Sequence, residues 1–162
     1  MWALEQSLST LPKHDRYQFL HEEFVDAARS GDLETVSRFS PMLDVRDDAL
    51  LSEALFAAAA NGHFEIMKMI LKDGAWLWVR DKFLLMACIV ENHDRGNRAD
   101  RRKAFMDLFS RVPRERRIVR RFGDLDAYNR ELADITRRVR EKDPELANWC
   151  EAELSPSDKR WQ

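Results

Sequence analysis

The sequence predicts an all-α fold, and three observations support that prediction. Apolar residues make up 44% of the 162 residues, which is enough for a buried core. The chain contains only five glycines and five prolines, and strictly alternating β-branched runs are missing. Apolar residues instead recur three and four positions apart over most of the chain, which is the spacing of amphipathic helices. A single domain follows most simply from this length.

The first predicted elements are an N-terminal helix and a helix-turn-helix unit. Residues 1–20 carry leucines at helical spacing and are predicted to form a helical cap, which Pro12 interrupts. In the unit that follows, Ala27 and Ala28 precede a turn at Gly31, and a short second helix comes after the turn.

The central stretch, residues 52–78, has the clearest pattern in the sequence. Alanines crowd its first half, Asn61 and Gly62 then break the chain, and apolar residues at helical spacing continue until Gly74. This pattern predicts a helix, a tight turn and a second, antiparallel helix that ends at a glycine cap.

The same stretch resembles an ankyrin repeat, whose recurring text is TPLHxAAxxGHxEIVKxLLxxGA. The positions that agree with it are Leu55, Ala58, Ala59, Gly62, His63, Glu65, Ile66, Lys68, Ile70, Leu71, Gly74 and Ala75. Gly31 lies 31 residues before Gly62, close to the repeat length of about 33 residues. The resemblance implies a short ankyrin-like α-solenoid of stacked helix-turn-helix units over residues 21–112 with helical caps, a fold that mostly binds other proteins.

The sequence departs from the family at the start of each inner helix, the first helix of a unit. Ankyrin repeats carry Thr-Pro-Leu-His there, and this Thr and His link neighbouring repeats by hydrogen bonds. Residues 53–56 and 22–25 of this chain instead read Glu-Ala-Leu-Phe and Glu-Glu-Phe-Val. The departure predicts units that are joined mainly by apolar contact.

A third, degenerate unit is predicted after the central one. Residues 83–90 have the apolar character of an inner helix, with Leu84 and Ala87 near the expected positions. The polar residues 93–100 form a longer loop, which we interpret as an insertion before a second helix that runs through Phe109.

The remaining residues are predicted to form a C-terminal helical cap over 113–154 and a tail over 155–162. Pro113 is expected to start a helix that ends at Gly123, since proline favours the first helical position. Two more helices follow, and the pair Asp143-Pro144 is a strong start signal for the second of them.

Charge is distributed unevenly along a chain whose net charge is −2. Residues 95–121 carry a balance of +8, while the segments before and after carry −7 and −3. Arginine binds phosphate through bidentate geometry and counterion release, which favours a nucleic-acid site. The competing interpretation is pairing with the chain's own acidic residues or with an acidic protein surface. The arginines assigned to this basic patch are Arg95, Arg98, Arg101, Arg102, Arg114 and Arg117.

Two tryptophans occupy the place where ankyrin repeats carry a polar finger loop between units. Tryptophan buries a large area with few rotatable bonds, so exposed rings at Trp76 and Trp78 would suit a partner contact. The alternative is that the rings pack against the C-terminal helices, and we expect at least one to be exposed. The finger residues that the resemblance implies as partner contacts are Arg46, Asp48, Trp76, Trp78, Arg80 and Asp81.

The sequence contains no motif for catalysis, cofactor binding or metal binding. It lacks HExxH, CxxC, GxSxG, P-loop and GxGxxG patterns, and His63 falls in the structural Gly-His turn of the resembled family. Cys88 and Cys150 are expected to be buried free thiols. We find no signal peptide and no apolar stretch of membrane-spanning length, so we expect a cytoplasmic protein, with a nuclear location as the alternative.

The predicted function is a non-enzymatic protein-protein interaction module, such as an adaptor, inhibitor or assembly factor. It would bind its protein partner through the fingers and the inner helices. The alternative is nucleic-acid binding through residues 95–121. The sequence predicts no cofactor and no metal ion.

Overall fold

Eight α-helices and no strand make up the part of the chain that the computed structural model describes, residues 12–42, 48–72, 77–122 and 125–161. The all-α prediction is confirmed. The helices are α1 (Lys13–Ser30), α2 (Leu33–Phe39), α3 (Asp48–Ala60), α4 (Phe64–Lys72), α5 (Val79–Glu91), α6 (Arg98–Phe122), α7 (Leu125–Lys142) and α8 (Pro144–Trp161). A short 3-10 turn, Ser40–Met42, extends α2.

The helices form two layers. The odd-numbered helices pack on one another in chain order, α1 on α3, α3 on α5 and α5 on α7, and the even-numbered helices do the same. Each odd helix also packs on the even helix that follows it. The core between the layers is made of fully buried side chains such as Phe24, Leu55, Met86 and Phe105. The C-terminal pair α7 and α8, predicted as a cap, therefore extends both layers by one more pair.

Glycines with positive φ close the turns inside the first three pairs. Gly31, Gly62 and Gly96 have φ values of 81°, 75° and 64°, a region that side chains disfavour. The turns at Gly62 and Gly96 touch each other, because a Cβ added to Gly96 would lie 2.1 Å from the carbonyl oxygen of Gly62. The third turn, residues 92–97, is longer than the one around Gly62, but it ends before the predicted loop over 93–100 does, because α6 begins at Arg98. Its glycine was not foreseen as an equivalent of the other two.

Three predicted boundaries are wrong. Helix α6 continues through Pro113 to Phe122, so that proline starts no new helix. Neighbouring helices support α6 there: Tyr128 of α7 donates a hydrogen bond of 2.7 Å to the carbonyl of Val112. The boundary at residue 20 falls inside α1, and the predicted tail is helical as far as Trp161. Residues 1–11, predicted as an N-terminal helix, lie outside the described residues.

Candidate functional site

The odd-numbered helices expose one stripe of residues on the side that faces away from the even-numbered layer. Helix α3 is covered by α1, α5 and α4, and Glu53 and Phe56 are among its described positions that remain accessible. On α5 the equivalent stripe passes through Arg80 and Leu84. We call this stripe the inner face. It consists of Glu53, Phe56, Ala57, Arg80, Leu84, Cys88 and Glu91.

Large apolar side chains are exposed on and beside the inner face. Leu84 has 47% of its surface exposed, and Trp78, at the N-terminal end of α5, has 57%. The expectation that at least one of the two tryptophans is exposed is therefore confirmed by Trp78. Trp76 lies outside the described residues. Exposed side chains of this size and type are common at protein interfaces and costly to leave in water.

The other predicted contact residues do not form the finger loops that the sequence predicts, as far as the structure describes them. Arg80 and Asp81 lie in the first turn of α5, so their placement in a finger loop is wrong. Their role as partner contacts stays a prediction. Asp81 is half-buried and accepts a hydrogen bond of 3.2 Å from Ser52, which makes it an internal link. Asp48 is the first residue of α3, and its side chain is outside the described part, as is all of Arg46.

Polar contacts join the odd-numbered helices to one another. His21 of α1 lies 2.9 Å from Glu53 of α3, and Ser52 of α3 bonds Asp81 of α5. These two bonds lie beside a continuous apolar core that the same helices share, so they do not contradict the prediction that the units are joined mainly by apolar contact.

Three arginines of the basic patch surround one buried carboxylate. Asp143 accepts hydrogen bonds of 2.8 and 2.7 Å from Nε and Nη2 of Arg102, and Arg98 and Arg101 each approach it to 3.9 Å. Arg102 also bonds Glu145 at 2.9 Å. We call these residues, Arg98, Arg101, Arg102, Asp143 and Glu145, the arginine cluster.

The bond between Arg102 and Asp143 favours the charged form of both groups. The hydrogen bonds from Arg102 hold the pKa of Asp143 below its ordinary value, and the backbone N–H of Leu146 adds to that effect. The same hydrogen bonds raise the pKa of Arg102. Asp143 also caps α8 by accepting from that N–H at 3.3 Å. A charged pair of this kind is a structural joint between α6 and the last helical pair.

Internal pairing therefore accounts for most of the basic patch that the structure describes. Arg101 donates to the carbonyl of His93, and Arg95 donates to the carbonyl of Ala60 at 3.2 Å. The interpretation that this segment pairs within the chain is confirmed for Arg98, Arg101 and Arg102. The side chains of Arg114 and Arg117 lie outside the described part.

The described residues show no metal site. No three His, Cys, Asp or Glu side chains are grouped there as a metal ion would need. Cys88 and Cys150 are free thiols, but only Cys150 is buried as expected, while Cys88 is half-buried. Burial raises the pKa of Cys150 to about 12. Cys88 has a raised pKa for the same reason. Such thiols carry little thiolate at neutral pH and are poor nucleophiles.

No described helix combines the length and the apolar character that crossing a membrane requires. No protein-family model and no solved structure gives a significant match to this chain.

Sequence reasoning missed Leu84 as a surface residue, although its spacing from two acidic residues contains a signal for it. Glu22, Glu53 and Leu84 follow one another at intervals of 31 residues, and the first two are exposed acidic residues. The same spacing predicts that the third residue of the series, Leu84, is also exposed although it is apolar.

Proposed function

We propose that this chain is a non-enzymatic protein-binding module whose partner contacts the inner face and Trp78. The observation that supports the proposal best is the exposure of Leu84 and Trp78 on one helix, α5. Tryptophan and large aliphatic side chains contribute most of the affinity in many protein interfaces when a partner removes them from water.

The arrangement of the inner face suits binding without large rearrangement. The hydrogen bonds between His21 and Glu53 and between Ser52 and Asp81 tie neighbouring odd-numbered helices together at this surface. A surface that is already ordered loses little conformational entropy when it binds, which favours affinity. The resemblance of residues 52–78 to an ankyrin repeat supports the same function, because stacked repeats of this kind mostly bind proteins.

The nucleic-acid alternative has less support. The three arginines of the arginine cluster are paired with Asp143 and Glu145, and those pairs would have to break before the arginines could bind phosphate.

The proposal is tested by affinity capture from cells with the full chain and two matched variants. Leu84→Glu places a charge in the centre of the inner face, and Met42→Glu places the same charge at an exposed methionine elsewhere. The captured protein is then purified and its affinity for each variant is measured by calorimetry. We expect Leu84→Glu to weaken binding at least about tenfold, since loss of a buried apolar anchor typically exceeds 1.4 kcal/mol.

Met42→Glu should bind the same protein within about twofold of the unmodified chain. Both variants should unfold at the same temperature as the unmodified chain, because both sites are exposed. A stoichiometric partner whose affinity is unchanged by Leu84→Glu would overturn the inner face as the contact surface.

A further inference from the structure

A groove of about 510 Å³ lies between α4 and α6, on the even-numbered layer and therefore on the opposite side from the inner face. Four cationic side chains, one carboxylate and one leucine line it. These residues, which we call the basic groove, are Lys68, Leu71, Lys72, Lys103, Asp107 and Arg111.

Two of the four cations are already engaged. Lys68 contacts Asp100 at 2.5 Å. Arg111 donates to Asp107 at 3.2 Å and to the carbonyl of Leu71 at 2.9 Å. These bonds tie α4 to α6 and give the groove an ordered wall.

The other two cations are open. Lys72 and Lys103 are exposed, and neither makes a hydrogen bond or ion pair with any residue that the structure describes. With Asp100 included, four cations face two carboxylates, which leaves a local charge of +2 in a chain whose net charge is −2. The groove therefore offers two unpaired ammonium groups within one concave surface, a suitable site for a pair of anionic groups.

We propose that the basic groove binds an acidic peptide segment, rich in Asp or Glu, of a protein partner. Carboxylates of such a segment would pair with Lys72 and Lys103. A peptide also has amide N–H groups that can donate to Asp107, whereas a polyphosphate has no such donor.

The same residues disfavour nucleic acid in this groove. Asp107 has 42% of its side chain exposed and would repel a continuous row of phosphates. None of the residues that line the groove is aromatic, so bases find no side chain on which to stack. Among the arginines of α6 whose side chains the structure describes, Arg98, Arg101 and Arg102 are paired with carboxylates in the arginine cluster.

The probe is a fluorescein-labelled decaglutamate peptide, and binding to the full chain is followed by fluorescence anisotropy at low and at physiological salt. Lys72→Glu/Lys103→Glu reverses both open charges. Lys13→Glu/Lys142→Glu is the control, since it changes the net charge equally at two exposed lysines outside the groove. We expect the groove variant to weaken binding at least about tenfold and the control by no more than about twofold. The affinity should fall as salt rises.

Lys72→Gln/Lys103→Gln removes the charges without reversing them and keeps the test valid if the reversal disturbs folding. It should weaken binding by a smaller factor than the double reversal. Leu84→Glu should leave decaglutamate binding unchanged, so failure of the groove and failure of the inner face are distinguishable.

Three results would overturn the proposal. The first is that the unmodified chain does not bind the peptide at low salt. The second is an equal loss in the groove variant and the control, which would indicate general electrostatic attraction. The third is tighter binding of an oligonucleotide of matched charge, or of phosphatidylserine vesicles, that is lost in the groove variant, because the groove would then serve that ligand.

Discussion

The turns within the second and third helical pairs and the turn within the last pair are held by different kinds of contact. Gly62 and Gly96 meet through backbone atoms, and that approach depends on the absence of a side chain. The α7–α8 turn instead places Asp143 against the arginines of α6. One kind of joint is steric and insensitive to pH, and the other is electrostatic and depends on the protonation of one carboxylate. Helical pairs in the same two layers are therefore joined in two independent ways, by close backbone approach at Gly62 and Gly96 and by ion pairs at Asp143.

The largest effect is expected for Gly96→Ala. Its Cβ would lie 2.1 Å from the Gly62 carbonyl oxygen at a φ of 64°, so both turns would have to move. We expect a loss of about 3 kcal/mol in the free energy of unfolding, measured by urea denaturation.

Gly31→Ala is the matched control for that loss. It has a similar φ of 81°, but the nearest atoms to its Cβ would belong to the side chain of His63, at 2.6 Å, and not to backbone. The cost should be about 1–2 kcal/mol, and the second substitution His63→Ala should recover part of it. An effect of Gly96→Ala no larger than that of Gly31→Ala would contradict the steric account of the joint.

Asp143→Ala is expected to have the next largest effect. It removes the two hydrogen bonds to Arg102 and the cap of α8, and it leaves the buried Arg101 without its nearest described carboxylate. We expect a loss of about 2–3 kcal/mol at neutral pH in urea denaturation. Glu145→Ala is the control. Its side chain is 76% exposed, and it should cost less than about 0.5 kcal/mol.

The cost of Asp143→Ala should also depend on pH. The folded protein lowers the pKa of Asp143 below its ordinary value of 3.8, so the unfolded chain takes up the proton first as pH falls. The stabilisation is complete well above 3.8 and is lost as pH falls through the folded pKa. The difference between the unmodified chain and the variant should therefore shrink in acid. A difference that stays constant down to pH of about 2 would show that the carboxylate's charge is not what joins α8 to α6.

Tyr128→Phe is expected to have the smallest effect of the three. It deletes the hydrogen bond of 2.7 Å to the carbonyl of Val112 but keeps the edge-to-face ring contact with Phe83, whose centroid lies 5.4 Å away. The loss should be about 1 kcal/mol and should not vary between neutral and acidic pH. A cost above that of Asp143→Ala would mean that α7, rather than the α8 cap, is the main attachment of the last pair.

Predictions from the sequence were correct where residues that are neighbours in the chain determine the local structure. The turn at Gly62, the helices on either side of it and the longer third turn all follow from residues that are neighbours in the chain. The signal failed at Pro113, because a preference for the first helical position is weak beside the packing that continues α6. It also failed for Arg80 and Asp81, whose place in α5 depends on where the helix begins.

The amino-acid sequence by itself determined the helical class, the turn glycines at 31 and 62 and the uneven distribution of charge. These depend on periodicity, on backbone conformation and on composition, all of which are local. The pairing of Arg102 with Asp143, 41 residues away, is visible only in the tertiary structure. The same holds for the position of Lys72 and Lys103 at one groove and for the exposure of Leu84 on the other layer. The reason is physical: whether a charge is paired or a leucine is covered depends on which helices pack together, and that packing is a property of the whole chain.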